Sequence, residues 1–398
     1  MKKFLQVVFI VTLFLPGQIL AQIWEVAAAL PADGRHHPVT FSIDGIGYLV
    51  TGNSRPNDFY RYDPIADEWQ QLTDFPGEAR GYSYGVTYNG KGYLGFGRAN
   101  GKNYNDLWEY DPETEEWTEL DTLPGVGRAH PALIAGSGKI WVGLGSGPNG
   151  NLNDWWEYDI AGNEWTQQPD FPSFERHHPY YFEIDGMPYV GFGHGADIYS
   201  DFYQFDFEND EWITLNAFPE QGRVAGTQFS YNGKGYILSG QGEDHGDLPE
   251  GEFWEYDPLE DSWKELVPHP DGGRWAPGSF VLNGEVFLLC GNQQGNGNLN
   301  DMWRAEIPEK SVGIKEVAHT SEWYVVPNPA SDMIFLQTEN DLSVSAELTV
   351  FTLSGKVMFF GPLTPDQPID TRHLPVGMYI CQIKNNDVIE NIQFVITR

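Results

Sequence analysis

The sequence predicts an all-β protein, a six-bladed β-propeller closed by its own N-terminal strand and followed by a small immunoglobulin-like β-sandwich. Three observations carry that expectation. A Trp, a Pro seven positions on and an Arg four further recur six times: Trp24-Pro31-Arg35, Trp69-Pro76-Arg80, Trp117-Pro124-Arg128, Trp165-Pro172-Arg176, Trp212-Pro219-Arg223 and Trp263-Pro270-Arg274. The units lie 45 to 51 residues apart, the period of four-stranded sheets set around an axis. Each unit repeats the same turn chemistry, and the last lacks a Trp segment where the first has one to spare.

The first residues stand outside the repeat. Met1-Lys2-Lys3, the apolar run Phe4–Leu15, the break at Pro16-Gly17 and Ile19-Leu20-Ala21-Gln22 have the layout of a secretory signal peptide, residues 1–21, cleaved after Ala21. The apolar run is 12 residues long, short of the roughly 20 that a spanning helix needs. No Cys follows the cleavage site to take a lipid anchor. No transmembrane segment is expected after cleavage.

Residues 22–307 hold the repeats. After each Arg an apolar stretch ends in a turn pair: Asp44-Gly45, Asn89-Gly90, Asp185-Gly186, Asn232-Gly233 and Asn283-Gly284, with Gly136-Ser137-Gly138 once. Such pairs tolerate the positive φ angles of a two-residue hairpin, so they join two antiparallel strands. The second strand ends at Thr51-Gly52, Phe96-Gly97, Leu144-Gly145, Phe192-Gly193, Ser239-Gly240 and Cys290-Gly291, where a glycine suits crowding near an axis. A third strand follows, starting at Asp58, Asp106, Asp154, Asp201, Glu252 and Asp301. A turn such as Asp63-Pro64 or Asp111-Pro112 then leads to the Trp strand. Six first, second and third strands begin at Arg35, but the Trp strand at 23–31 precedes them all. That segment is therefore expected to complete the sixth sheet, removing the exposed edge of an open array.

These residues resemble the kelch family: a Gly-containing second strand, an aromatic-x-aromatic-Asp third strand such as Phe59-Tyr60-Arg61-Tyr62-Asp63, and a Trp outer strand. The resemblance implies a six-bladed kelch-type β-propeller. The chain departs from it in having one Gly where the family usually has a pair, as at Thr51-Gly52 and Ser239-Gly240.

Residues 308–321 read as a polar linker and 322–398 as a separate β-sandwich, with alternating segments at Glu347–Leu353, Lys356–Phe360, Met378–Lys384 and Asn391–Thr397. The start Pro327-Asn328-Pro329-Ala330-Ser331-Asp332, the turn Leu353-Ser354-Gly355-Lys356 and the stretch Leu374-Pro375-Val376-Gly377-Met378-Tyr379 are similar to a type A sorting domain of the type IX secretion system. Val326 stands where a Tyr is common. That resemblance implies that the type IX machinery is a partner, that the cargo crosses the outer membrane of a Bacteroidetes-type bacterium, and that the protein is secreted or held at the cell surface.

Cleavage would remove Lys2 and Lys3, leaving 21 basic residues against 57 acidic ones. Such a surface repels nucleic acid. Only two cysteines occur, Cys290 and Cys381, in different expected domains and each in an apolar strand pattern. Two buried thiols are expected rather than a bridge. A monomer is expected, without cofactor.

Strand direction places the Trp-to-first-strand connection on the same face as the loop between second and third strands. Arg35, Arg80, Arg128, Arg176, Arg223 and Arg274 all lie at that connection, six of the ten arginines of the repeats. They are expected to ring the mouth of the channel, either as a positive funnel for an anionic ligand or as ties between structural elements. His37, His130 and His178 stand two residues after their Arg, where other repeats have Tyr82, Ala225 and Ala276. By strand alternation they share the arginine side. A metal is not expected there, because guanidinium charges oppose a cation. Trp275, beside Arg274, offers a stacking surface for a sugar or peptide. The acidic loop from Gln241 to Glu250 offers Glu243 or Asp244 as an acid.

No Ser-His-Asp motif, phosphate loop or zinc signature is present. Galactose oxidases of the kelch type need a Tyr-Cys cofactor, which Cys290 inside an apolar strand does not supply. The expected function is a binding module for a glycan or protein ligand. The alternative is an enzyme similar to the sialic-acid mutarotase family, a carbohydrate mutarotase or epimerase acting on the same face.

Overall fold

A computed structural model describes residues 24–53, 57–248, 252–308, 323–328, 330–338, 346–352, 357–363, 367–375, 377–385 and 388–397. The signal-peptide region 1–21 and nearly all of the linker 308–321 lie outside these residues, as does the sorting-domain turn 353–356. The chain divides into two compact units, Met1–Lys310 and Ser311–Arg398.

Among the described residues the first unit contains six four-stranded antiparallel sheets. In the first sheet the strands are Val39–Ile43, Ile46–Val50, Phe59–Asp63 and Glu68–Gln71, paired in that order. Each hairpin between first and second strands turns on two left-handed residues, as at Asp44 (φ 50°) and Gly45 (φ 79°). That twist matches the strands it joins. Ser137 and Gly138 turn the same way, so the Gly-Ser-Gly variant keeps the geometry.

The innermost strands are Val39–Ile43, Tyr84–Tyr88, Ala132–Gly136, Tyr180–Ile184, Thr227–Tyr231 and Gly278–Leu282. Each adjoins the next, and the last adjoins the first. The sheet of Gly278–Leu282, Glu285–Leu289 and Met302–Glu306 takes its outer strand from the other end of the unit, Trp24–Ala27. Trp24 lies opposite Ala305, Glu25 opposite Arg304, Val26 opposite Trp303 and Ala27 opposite Met302.

The core lies between neighbouring sheets. Phe41, Tyr48, Val50 and Phe59 of the first sheet pack on Leu94 and Tyr110 of the second. The repeated Trp residues occupy the outer strands, and four tie their sheet to its neighbour. Trp24 Nε1 donates to Val267 O (3.1 Å), Trp69 to Ala28 O (2.8 Å), Trp165 to Asp121 O (2.7 Å) and Trp212 to Pro169 O (3.0 Å). Large amphipathic rings suit this place, with the ring apolar and, in these four, the N–H satisfied.

The innermost strands line a cavity of about 260 Å³, with Tyr84, Tyr181, Thr227, Ser279, His37 and Ala276 in its wall.

The second unit has a three-stranded sheet, Trp323–Val326, Met333–Thr338 and Ile369–Asp370, and a four-stranded sheet built around Ala346–Thr352 and Gly377–Asn385. Its core includes Trp323, Ile334, Leu348, Tyr379, Cys381 and Phe394. Cys290 and Cys381 are both free and buried, and burial pushes each thiol up to about 12. Neither is a nucleophile at neutral pH.

Candidate functional site

The chain passes from each outer Trp strand to the next innermost strand through the repeated Arg and two residues beyond it. At that second residue the backbone is left-handed in all six repeats: φ is 53° at His37, 64° at Tyr82, 55° at His130, 51° at His178, 54° at Ala225 and 48° at Ala276. A residue with a Cβ adopts this conformation at a cost of about 1–2 kcal/mol. Hydrogen bonds between sheets offset it. The N–H of His130 donates to Tyr82 O (3.2 Å), that of His178 to His130 O (3.2 Å), that of Ala276 to Ala225 O (2.6 Å) and that of His37 to Ala276 O (2.8 Å). The left-handed turn aims each of these N–H groups at the equivalent residue of a neighbouring sheet. The side chains are thereby gathered at one end of the cavity.

This geometry corrects two expectations. Strand alternation does not extend to these positions, because the left-handed residue interrupts it, so the histidines do not share a side with the arginines. Nor do Arg35, Arg80, Arg128, Arg176, Arg223 and Arg274 form an open positive funnel. Each is at most 3% exposed. Arg128 holds both carboxylate oxygens of Asp154 (2.7 and 2.8 Å) and the Leu144 carbonyl (3.2 Å). Arg35 does the same with Asp58 and Thr51 O, Arg80 with Asp106 and Phe96 O, Arg176 with Asp201 and Phe192 O, and Arg274 with Asp301 and Cys290 O. Arg223 grips Glu252 and the Gln221 carbonyl. The carboxylate begins the third strand, the carbonyl usually ends the second, and the Arg precedes the first. Apart from Arg223, each guanidinium is a clip across three strands of its own sheet, with its terminal nitrogens engaged by the carboxylate and the carbonyl.

The imidazoles are what the face presents instead. His37, His130 and His178 come together, with ligand nitrogens all within 4.8 Å of one another. His37 Nε2 faces His178 Nε2 at 2.8 Å, and the rings of His130 and His178 lie tilted against each other with centroids 3.6 Å apart. His36 Nδ1 meets His37 Nδ1 at 2.6 Å, and Asn53 Nδ2 meets His36 Nε2 at 2.7 Å. Read in that direction, Asn53 donates to His36, His36 to His37 and His37 to His178, so one amide sets the tautomer of three neutral rings. His177, His194 and His245 continue the cluster, with ring centroids 5.1 and 4.7 Å apart along the row. His177 Nδ1 lies 3.0 Å from Asn151 Oδ1.

Burial holds His37, His130 and His178 well below the ordinary imidazole range, and the neighbouring imidazoles push further the same way. Burial takes His36 down to about 4, and burial with His194 takes His177 to about 4. These rings are neutral at pH 7, able to accept a hydrogen bond, a proton or a metal ion through a lone pair.

Trp275 joins the same cluster. It is half-buried, with its ring 4.5 Å from that of His36 and 4.8 Å from that of His37. Tyr82 closes the opposite flank, 4.6 Å from His130 and 4.9 Å from His37. Ala225 and Ala276 leave the ring of six residues without bulk on their side.

His36, His177, His194, His245 and a further set of residues were not singled out from the sequence. The residue after each second-strand glycine is polar and varies between repeats: Asn53, Arg98, Ser146, His194, Gln241 and Asn292. Five of these bridge the residue after the repeated Arg, as in Gly81 with Arg98, His177 with His194 and Trp275 with Asn292. In the sixth, Asn53 N–H donates to His36 O at 2.9 Å. Arg98 matters most for charge. It is exposed, close enough to depress the His130 imidazole, and without an ion pair among the described residues.

The carboxylates of the acidic loop are held by donors within the loop and on its neighbours. Glu243 accepts from Gly222 N–H (3.2 Å), Asp244 from Gly246 N–H (2.8 Å), and Asp247 from Gln241 Nε2 (3.0 Å) and Gln294 N–H (2.6 Å). It brings His245 up to the cluster rather than a free acid.

Comparison with known proteins bears on both units. Residues 324–397 match the secretion system C-terminal sorting domain. This sorting domain directs secretion across the outer membrane through the type IX system, and the protein is secreted by that route. Among solved structures the chain is similar to YjhT, at 15% identity and a TM-score of 0.61, over 71% of this chain and 98% of that one. At that identity the likeness shows the fold alone, a β-propeller. No curated protein matches the sequence. No described helix is long and apolar enough to cross a membrane.

Proposed function

We propose that the protein is a secreted six-bladed kelch-type β-propeller, closed by its N-terminal strand, that binds a glycan at the imidazole and aromatic cluster. The observation that carries this reading is the convergence of Trp275, Tyr82 and the histidine row on one face, while the repeated arginines are spent inside the sheets. A sugar ring needs an apolar face to stack on and several polar atoms around its rim. Trp275 offers the first, and Asn53, His36, His177 and His194 the second. With the six arginines neutralised and the imidazoles uncharged, Arg98 is the group available to an acidic substituent.

A glycan array followed by calorimetry on the hits tests this. Trp275→Ala is expected to weaken binding by about 1–2 kcal/mol, roughly 5- to 30-fold, as lost stacking does. Arg98→Ala is expected to remove any preference for acidic over neutral sugars. Unchanged affinity in Trp275→Ala, with a ligand in hand, places the site elsewhere.

A second reading is supported by the neutral imidazoles. Mutarotation needs a base for the anomeric hydroxyl and an acid for the ring oxygen, and His37 and His178 share a proton between facing nitrogens. Faster anomer exchange of N-acetylneuraminate, followed by NMR, would favour this enzyme reading; binding without acceleration favours the module.

Deleting Trp323–Arg398 is expected to leave the propeller in the periplasm and abolish its appearance outside the cell. Undiminished secretion of the truncated chain would contradict the sorting role.

A further inference from the structure

We propose that His37, His130 and His178 bind one late first-row divalent transition ion, of the Zn²⁺ or Cu²⁺ kind, at the axis of the propeller. The proposal goes beyond glycan binding and does not depend on it.

The donor set comes from three sheets but from one structural position. All three residues sit at the left-handed turn, locked by backbone hydrogen bonds that run between sheets. Their ligand atoms already lie within 4.8 Å of one another. Around an ion with metal–nitrogen bonds of about 2.0–2.1 Å, tetrahedral ligand atoms stand roughly 3.3 Å apart. The facing nitrogens of His37 and His178, now at 2.8 Å, need to part by about half an ångström, and the longer separations need to close.

One feature lacks an explanation inside the protein alone. His130 Nδ1 is buried and has no hydrogen-bond partner, a cost of about 1–3 kcal/mol that coordination would remove. The His37 and His178 nitrogens, 2.8 Å apart, are joined by the His37 proton in the chain described above, and once that proton moves they offer two lone pairs to one ion. If the Asn53 amide is turned to accept from His36, the chain Asn53–His36–His37 reverses. His37 then carries its proton on Nδ1 and frees Nε2. Outer hydrogen bonds of this kind orient metal-bound imidazoles.

The buried arginines do not oppose the ion, because Arg35, Arg128 and Arg176 are each paired with a carboxylate. Arg98, beside His130, is an opposing charge, exposed and so screened by solvent. An all-imidazole set selects Zn²⁺, Cu²⁺ or Ni²⁺ over Mg²⁺ and Ca²⁺, which need oxygen. Three protein ligands leave a fourth position for water or a ligand atom.

The test uses the untagged, full mature chain stripped with chelator and titrated with Zn²⁺ by calorimetry and with Co²⁺ by visible absorption, in the absence of any sugar. One equivalent is expected to bind, Co²⁺ giving the intense bands of a tetrahedral site. His130→Ala and, independently, His178→Gln are expected to weaken binding by about 100-fold or more while keeping the circular dichroism of the parent. Absence of a stoichiometric ion, or an unchanged affinity in both folded histidine variants, overturns the site. Because sugar is absent, that failure leaves the glycan result standing, and repeating the glycan titration in chelator separates the two.

Discussion

Arg128→Ala is expected to cost the propeller about 3 kcal/mol of stability, read as a lower denaturation midpoint. The guanidinium is fully buried and satisfies three acceptors at once: both oxygens of Asp154 and the Leu144 carbonyl. Truncation leaves that carboxylate with the Trp156 indole N–H at 2.8 Å but no countercharge, in a place where its side chain is only 22% exposed. An unpaired buried charge is costly even where the intact pair contributes little net stability. Arg128→Lys is expected to recover only part of the loss, since an ammonium cannot make the two parallel bonds. The control is Arg61→Ala. Arg61 pairs with Glu115 at 3.2 Å on the surface, their side chains 38% and 54% exposed, and its loss is expected to cost under about 0.5 kcal/mol. If Arg128→Ala instead keeps parental stability and loses ligand binding, the arginine is a ligand residue and not a clip.

The same pair has a pH signature. Burial raises the Asp154 carboxyl, but the hydrogen bonds and charge of Arg128, helped by Trp156, more than reverse that, and it ends below its ordinary value. Asp301 behaves likewise with Arg274 and Trp303. A depressed carboxyl contributes stability that is present above its unfolded pKa and is lost as pH falls through the folded one. The loss therefore falls below the ordinary carboxylate range, and Arg128→Ala is expected to flatten that acid limb.

These arginines also show how much of the molecule was legible from its sequence. A residue present in every repeat serves what every repeat needs, so the Trp, Pro, Arg and third-strand Asp columns all belong to the framework. The strand count, the hairpin turns at Asp44-Gly45 and its equivalents, and the pairing partner of the N-terminal strand followed directly from them. The site lies in three columns where the repeats disagree: the residue after the Arg, the one after that, and the one after the second-strand glycine. Trp275, His37, His130 and His178 were readable because they break a pattern. His36, His177 and Arg98 break it too, but their columns matter only once the left-handed turn is known to bring them together. That turn is a backbone conformation with no fixed residue type, found here at His, Tyr and Ala alike, and no side-chain pattern announces it. For the same reason the alternation argument failed at these positions. In the C-terminal unit the strand at Met333–Thr338 pairs with Trp323–Val326, a partnership that short, irregularly spaced segments did not disclose.

Removing the N-terminal strand is expected to have the second large effect. A mature chain beginning at Asp33 loses Trp24, whose ring is buried against Phe253 and His269 (centroids 5.9 and 5.3 Å) and whose N–H holds Val267 O. It also loses the Leu30 N–H bond to Asn300 O (2.9 Å) and the Asn300 amide bonds to Leu30 and Ala32 O (3.1 Å each). Burying a Trp of this kind contributes about 3–5 kcal/mol by itself. The strand Met302–Glu306 would then present an unpaired row of N–H and C=O groups, the template on which sheets aggregate. The truncated chain is expected to melt well below the parent and to aggregate. A permuted chain separates loss of closure from loss of residues. It starts at Gly34, runs through Glu306, and rejoins 24–33 through a turn copied from Asp63–Asp67, the connection that links third to outer strand in the first sheet. Because Trp24–Ala27 already runs antiparallel to Met302–Glu306 in the matching register, the permutant is expected to melt near the parent. A truncated chain as stable as the parent would mean that the sixth sheet does not need the N-terminal strand. A permutant as unstable as the truncation would mean that covalent closure from the first sheet to the sixth, and not the strand pairing alone, holds the ring.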